Sequence, residues 1–551
     1  MNATDALLDN YIGLYWISPA LCIIGILITN LFLQLIVKKN LDAWIRATSV
    51  VGLGCAIYIS LAISKKLPTN AGLRLFNNLV YINSWTLSIH LILFMVTLLI
   101  LLIPVGNRQR NKLTEDTNSE NHLTEILYLV KSASFNPSTS SMSDTEGAKS
   151  VTPSTSSKRN IKGAGTADIS IYVFMLTANL LGGYLLVIAN HWLVVYLSIG
   201  CMTIAASVLI YVNNSIEKSS LASTRYLIYS IVASAVMLFG LSYLYGSTGT
   251  LTIHQAIPYN SGSELHTFLY TLWPIGFFLA LSGLFMSSGS FPFQFWVPSI
   301  YQPTSFSIVA YLSTVPKIAI IAFMLQLHQL VVLSNPSLKS SLESLWAILA
   351  ILTLLVGHIA ALKTSDAKKL LAYGTIAQTG FFLTFLVTDT STYAHIVYYM
   401  SAYSIMNVAS WLGLNLFTNL TNSTLIKDYA GLGRQFPVSS SCFLVSMIAL
   451  IGLPPTIGFT AKFLLFSKLW QQVQIEQSPL LISLFLINVL GTLFALYYYL
   501  KIPYILLTKP KQPQVIRLEQ RDIQWIQLLL TILLIGLFFY ASCYRESPLG
   551  L

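Results

Sequence analysis

Runs of roughly 20 apolar residues recur along almost the whole chain, and no other feature limits its possible folds so strongly. A helix of that length crosses the hydrocarbon core of a bilayer. The chain is 55% hydrophobic and 9% charged, with a mean hydropathy of +0.68. We therefore predict an all-α polytopic membrane protein embedded in a lipid bilayer. About fourteen transmembrane helices are predicted, at residues 11–37, 44–64, 84–104, 169–189, 192–212, 226–245, 266–290, 304–328, 342–362, 369–387, 393–418, 440–466, 480–500 and 523–541.

The spans divide into five segments. Residues 1–104 hold three transmembrane helices, and residues 105–168 form a polar, Ser/Thr-rich insertion without apolar periodicity, which predicts a disordered loop. Two sets of five spans follow, at residues 169–328 and 329–501, and residues 502–551 hold a loop and the last span. Because five is odd, the second set must enter the membrane from the opposite side. We therefore expect two inverted repeats.

Positive charge is distributed unevenly between the two sides of the predicted topology. Of the 31 Lys and Arg residues, 23 fall in odd-numbered loops, six fall in even-numbered loops or termini, and two lie inside spans. Positively charged loops stay on the side of synthesis. The odd loops are therefore expected in the cytoplasm or matrix and both termini on the other side. This alternation explains the net charge of +11 without a nucleic-acid partner.

Several functional classes find no support in the sequence. The five cysteines are scattered and form no CxxC pair, so no iron–sulfur or zinc site is predicted. Neither a Walker loop nor a GxGxxG motif opens any helix, which argues against a nucleotide-driven machine.

Ionisable residues in the interior of the predicted spans are few. Lys317 and Lys462 lie within apolar runs, and Arg225 lies at the edge of another. A lysine at the bilayer centre costs about 2.5–3.5 kcal/mol on insertion scales, so such residues are functional candidates. His90 and His358 also lie in spans, where we expect histidines hydrogen bonded within the helix bundle.

Two spans also contain helix-breaking residues. The stretch GLPPTIG at 452–458 contributes Gly452, Pro454 and Pro455, and the stretch SSGSFPFQFWVPS contributes Pro292 and Pro298. A proline inside a helix costs about 3 kcal/mol or more. Broken helices persist at membrane depth only where protein or trapped water satisfies the freed backbone groups.

A lysine beside such a helix break is suited to proton transfer. Burial penalises the charged form of a lysine, so the amine can release and regain a proton. The freed backbone groups bind water. We therefore predict that Lys317 and Lys462 are protonatable positions on a hydrated path across the membrane, rather than packing anchors.

Three stretches of the chain resemble a known family. PFQFWVPSIYQPTSFSIVAYLSTVPKIA, KKLLAYGTIAQTGFFL and GLPPTIGFTAKF are similar to signatures of the antiporter-like membrane subunits of NADH–quinone oxidoreductase, respiratory complex I. The family also includes multi-subunit cation/proton antiporters. The resemblance extends closely over roughly residues 170–470, and the PFxFWxPxxY wording with fourteen spans favours the N-subunit branch.

The resemblance implies functional positions and also reveals departures. Lys317, Lys462 and Arg225 are the retained proton-translocation positions, with arginine replacing the usual lysine at 225. The family's glutamate of the fifth span corresponds to Gly200, and its lysine before PFxFW corresponds to Ser287. Those two residues form an ion pair in the family, and losing both partners of a buried pair can be neutral. Gln378 stands at the place of a usual histidine.

The resemblance further implies a proton-translocating subunit that couples electron transfer from NADH to quinone with proton pumping. No cofactor is expected in this chain, since FMN and iron–sulfur clusters would lie in partner subunits and quinone would be a substrate of the complex. The expected partners are other membrane-arm subunits. The expected location is the bacterial inner membrane, with the mitochondrial inner membrane as the alternative.

Two other functions stay open at this point. One is an Mrp-type cation/proton antiporter subunit driven by an ion gradient. The other is a degenerate scaffold of the same complex that keeps the fold without pumping, which the neutral Gly200 and Ser287 allow.

The charge distribution predicts the topology directly. In right-side-out vesicles, added protease should spare a tag inserted in the 105–168 loop and remove a tag at Leu551. Cleavage of the loop tag with protection of the Leu551 tag would reverse the orientation.

Overall fold

The structure is a computed structural model that describes most of the chain as helices. The described residues are 13–37, 40–67, 72–76, 78–103, 164–212, 216–253, 264–334, 336–388, 393–510 and 521–544. The predicted 105–168 loop lies outside them, apart from the residues at its end that begin a helix.

The N-terminal part contains three helices and one small hairpin. Asn83 begins the third helix with a capping box, since its side chain accepts from the Thr86 amide and its own amide donates to the Thr86 hydroxyl. The elements are α1 (Ser18–Ile36), α2 (Leu41–Ser64), antiparallel strands β1 (Leu73–Leu75) and β2 (Val80–Ile82), and α3 (Ser84–Leu102).

The first five-span unit ends in a series of short helices. Its elements are α4 (Ala164–Val187), α5 (Trp192–Val212), α6 (Ile216–Thr248), α7 (Glu264–Ser288), α8 (Trp296–Tyr301), α9 (Phe306–Leu312) and α10 (Val315–Ser334). The seventh span is therefore interrupted after Ser288, and the eighth span is interrupted between α9 and α10.

The second five-span unit contains one interrupted span, and one more helix follows it. The elements are α11 (Lys339–Lys363), α12 (Ala367–Thr384), α13 (Ala394–Thr421), a short α14 (Leu432–Gln435), α15 (Pro437–Ile451), α16 (Ile457–Glu476), α17 (Pro479–Thr508) and the last span, α18 (Arg521–Tyr544).

Each of the fourteen predicted spans coincides with a helix or a pair of helices. Ten helical stretches among the described residues are long and apolar enough to cross a membrane, and the seventh and twelfth spans contain the shorter apolar helices Leu272–Ser288 and Pro437–Ile451. The prediction of an all-α polytopic membrane protein is confirmed. The exact segment boundaries stay predictions.

Helix α12 lies at the centre of the fold. Almost all of its residues are buried, including the polar residues Thr375, Gln378, Thr379 and Thr384. Since no face of this helix needs to be apolar toward lipid, it tolerates polar and small residues. A Cβ at Gly357 of α11 would lie 2.6 Å from the Ala377 nitrogen, so glycine allows α11 to contact the α12 backbone.

Candidate functional site

The interruption after α7 is stabilised by side chains from neighbouring segments. Gly289 has φ +69°, a left-handed conformation that favours glycine. The indole of Trp296 donates to the Met286 carbonyl at 2.8 Å, and the Phe291 amide donates to the Thr353 hydroxyl at 3.1 Å. Backbone groups that a continuous helix would pair internally are thus satisfied by the protein, as membrane depth requires.

The two prolines predicted to break this region have different positions. Pro292 lies in the interruption between α7 and α8, as expected. Pro298 is the third residue of α8 and breaks no helix. A first-turn proline is tolerated because its missing N–H would have no intrahelical partner.

The eighth span contains a second interruption, at Ser313 and Thr314, which the sequence analysis did not predict. Tyr403 donates its hydroxyl to the Ser313 carbonyl at 2.9 Å, and Asn407 donates its amide to the Ser313 hydroxyl at 2.6 Å. The sequence does contain a residue that indicates this interruption. It is Pro316, whose ring nitrogen cannot donate a hydrogen bond to the preceding turn. Helix α10 accordingly begins at Val315.

Lys317 is the third residue of α10, directly after this second interruption. It is 2% exposed, and its amine donates to the Thr375 carbonyl of α12 at 2.7 Å. The Thr379 hydroxyl lies 3.0 Å from the same carbonyl and 3.4 Å from the Ser288 carbonyl at the end of α7. One turn of α12 therefore connects the lysine with the first interruption.

The twelfth span is interrupted between Ile451 and Ile457. Gly452 has φ +89°, and its amide donates to the Ile448 carbonyl at 3.0 Å to close α15. Pro454 and Pro455 follow in the connecting turn. All three predicted break residues here lie where the helix is interrupted, and Gly458 already belongs to α16.

Lys462 binds the end of the helix that precedes the interruption. It is 4% exposed, and its amine donates to the carbonyls of Leu450 at 3.0 Å and Ile451 at 2.8 Å. The last carbonyls of a helix have no intrahelical partners and form the negative end of its dipole. The amine also lies 4.6 Å from the centre of the Phe381 ring, a cation–π contact.

The two lysines therefore contact the same helix, α12. Thr375 and Phe381 are six residues apart, an axial rise of about 9 Å. Between them, the Gln378 side-chain oxygen accepts from the Tyr399 hydroxyl at 2.9 Å. The arrangement places two buried amines and an intervening polar pair along one buried helix.

Lys368 is a third buried lysine. The predicted spans place it in a loop, one residue before the tenth span. Lys368 is 7% exposed and donates to the carbonyls of Gln302 at 3.2 Å and Thr304 at 2.8 Å, near the end of α8. Asp366 accepts from the Gln302 side chain at 3.0 Å and from the Thr424 hydroxyl at 2.6 Å. These hydrogen bonds hold the segment after α8 against the start of α12.

Gly200 and Ser287, the two positions at which the family charges are absent, do not line a common cavity. Ser287 lines a small cavity with residues of α5 that include Ile199 and Thr203. Gly200 is not among the lining residues, and a Cβ added there would meet no atom of the described residues within 4 Å. Gly200 instead shares the helix face of Leu197 and Ile204, which are 60% exposed.

Arg225 also lies away from the buried lysines. It is exposed on α6, whereas the adjacent Tyr226 is buried and lines the cavity next to Ser287. Of the three predicted translocation residues, the structure brings Lys317 and Lys462 to α12 and leaves Arg225 on the surface of the chain.

The sequence of the chain is similar to that of a known protein family. The profile of the family described as NADH:quinone oxidoreductase/Mrp antiporter, transmembrane, matches residues 189–491. A relative from Chloroherpeton thalassium, "NADH-quinone oxidoreductase subunit N 2", is 30% identical over 338 residues. The alignment covers 60% of this chain and 64% of that relative, so the chain spans slightly less than two-thirds of the relative's length.

Solved structures share the fold at low sequence identity. A chain of respiratory complex I from Thermus thermophilus superposes with a TM-score of 0.68 at 19% identity, over 96% of this chain and 99% of that chain. A chain of the Mrp complex from Dietzia superposes with a TM-score of 0.72 at 15% identity, over 96% and 95%.

The contacts of Lys368 predict its effect on stability. Lys368→Met should destabilise the protein by about 1–3 kcal/mol, because two carbonyls lose their donor. The control Lys369→Met changes the adjacent, less buried lysine and should have little effect. Thermal unfolding in detergent measures both, and equal stability of the two variants would contradict the anchoring role.

Proposed function

The chain belongs to the NADH:quinone oxidoreductase/Mrp antiporter transmembrane family, and we propose that it is a proton-translocating, N-type membrane subunit of an NADH–quinone oxidoreductase. The observation that carries the proposal is that two buried lysines, Lys317 and Lys462, each follow a helix interruption and each donate to backbone carbonyls. The name of the Chloroherpeton relative supports the choice of complex within the family.

The chemistry of the site is reversible protonation. A charged amine next to carbonyl oxygens is stabilised by their dipoles, while burial penalises the charge. These opposing effects allow each lysine to hold or release a proton when its surroundings change. Lys317 and Lys462 thus serve as two proton positions along α12, and Gln378 with Tyr399 provides hydrogen-bonding groups between them.

Electron transfer would occur outside this chain. In the proposed complex, FMN and iron–sulfur clusters belong to partner subunits, and quinone is a substrate of the assembly. The membrane-arm subunits beside this chain are its proposed partners, and the proposed location is the bacterial inner membrane. Conformational change in those partners would alter the surroundings of the two lysines.

A cation/proton antiporter subunit is the second candidate, because the fold superposes on a chain of the Mrp complex. At 15% identity that likeness concerns the fold alone. The two functions differ in their energy source. Proton movement driven by NADH supports the first, whereas cation-dependent proton movement under an imposed gradient without NADH supports the second.

Lys462→Ala tests the proposed function. We expect the variant to assemble but to lose NADH-driven proton pumping, because the turn around Gly452 forms without the amine while the proton position is removed. Pumping in membrane vesicles, normalised to assembled complex, is the measurement. Lys468→Ala on the same helix is the control and should pump normally.

A Lys462→Ala variant that assembles and pumps like the unmodified protein would assign Lys462 to packing and would refute the translocation role. Assembly without any NADH-driven pumping, even in the unmodified protein, would favour the non-pumping scaffold.

A further inference from the structure

His358 of α11 is a buried histidine that the proposed lysine path does not include. It is 2% exposed, and its Nδ1 lies 3.2 Å from the Tyr498 hydroxyl of α17. The ring of Tyr498 is followed by that of Tyr499 at a centroid distance of 4.5 Å. A titratable ring is thus held in one orientation between α11 and α17.

The other ring nitrogen of His358, Nε2, is buried and has no hydrogen-bond partner among the residues that the structure describes. A Cβ at Gly491 would lie 2.6 Å from it, so the absence of a side chain at Gly491 makes room for the imidazole. Buried polar atoms without a partner are uncommon in proteins and call for a physical explanation. Proton exchange is such an explanation, since it requires a nitrogen that is not committed to a permanent hydrogen bond.

One aromatic ring stands next to both His358 and Lys462. The Lys462 amine lies 4.6 Å from the centre of the Phe381 ring, and the imidazole lies 6.0 Å from the same centre at an interplanar angle of 78°. Phe381 therefore contacts both the Lys462 amine and the His358 imidazole.

His358 also lies toward the lysine-rich side of the protein. Helix α11 ends five residues later, at Lys363. There the Lys501 amine donates to the Thr364 carbonyl at 3.0 Å. These lysines belong to the odd loops that the charge distribution assigns to the cytoplasm or matrix. The imidazole therefore lies between Lys462 and the predicted side of proton uptake.

We propose that His358 transfers protons from the lysine-rich side of the protein to Lys462, an inference that rests on the proposed function. The Tyr498 hydroxyl gives its proton to His358 Nδ1, and the resulting phenolate takes a proton from a hydronium ion that water delivers on that side. The imidazolium then gives its Nε2 proton, through an intervening water, to the neutral Lys462 amine, which becomes an ammonium group. The histidine is left neutral with its proton on Nδ1, and tautomer exchange through water returns a proton to Nε2 before the next transfer.

Three variants in the assembled complex test this role. His358→Asn keeps a polar group near Tyr498 but cannot carry a proton, and Tyr498→Phe removes a single hydroxyl. Gly491→Ala leaves the histidine in place but displaces its ring. Each should assemble and lose NADH-driven proton pumping. The control is His90→Asn, which changes a buried histidine of α3 that contacts the Tyr184 carbonyl at 3.3 Å and should leave pumping unchanged.

Combination with Lys462→Ala separates a relay from a structural role. If the two residues act in series, His358→Asn with Lys462→Ala should keep the residual pumping of Lys462→Ala and should assemble as well as the weaker single variant, whereas independent structural defects would lower the amount of assembled complex further. If His358→Asn does not assemble, the same comparison with Tyr498→Phe decides.

The outcomes distinguish the two proposals. Loss of pumping in Lys462→Ala with normal pumping in His358→Asn and Tyr498→Phe would overturn the relay and leave the proposed function intact. Normal pumping in Lys462→Ala would overturn the proposed function itself.

Discussion

The binding of buried lysine amines to backbone carbonyls is the interaction on which the rest of this structure depends. An amine inside a membrane protein needs acceptors, and a carbonyl released by a helix interruption needs a donor. Lys462 satisfies both needs at the end of α15, and Lys368 does the same near the end of α8. At these two positions the amine supplies a donor to carbonyls near a helix end, and the carbonyls supply acceptors to a buried amine.

Helix α12 organises these contacts. It accepts a hydrogen bond from Lys317 through Thr375, supplies Phe381 as the ring that Lys462 contacts, and contains Lys368 in its first turn. A helix surrounded by other helices has no lipid-facing surface, so polar residues such as Gln378 cost less there when they have partners. This is why α12 can hold several polar residues although almost all of it is buried.

The sequence predicted the helices because a transmembrane span is visible as a run of apolar residues. Lys317 and Lys462 were predicted for the same reason, since a charge inside such a run is conspicuous. Lys368 was missed because a lysine at a span's edge looks like a loop residue, and its burial depends on carbonyls of residues 302 and 304 far along the chain. The interruption at Ser313 was missed although Pro316 signalled it. The partner carbonyls are tertiary contacts, such as Thr375 for Lys317 across 58 residues, and no local pattern encodes them.

Lys462→Arg distinguishes a lysine that exchanges a proton from a lysine that only caps a helix. Arginine keeps a positive charge and hydrogen-bond donors for the carbonyls of Leu450 and Ile451, but its guanidinium does not release a proton in proteins. The measurement is NADH-driven proton pumping per assembled complex. We expect normal assembly with loss of pumping. Assembly with undiminished pumping would contradict this expectation and leave Lys462 as a helix cap alone.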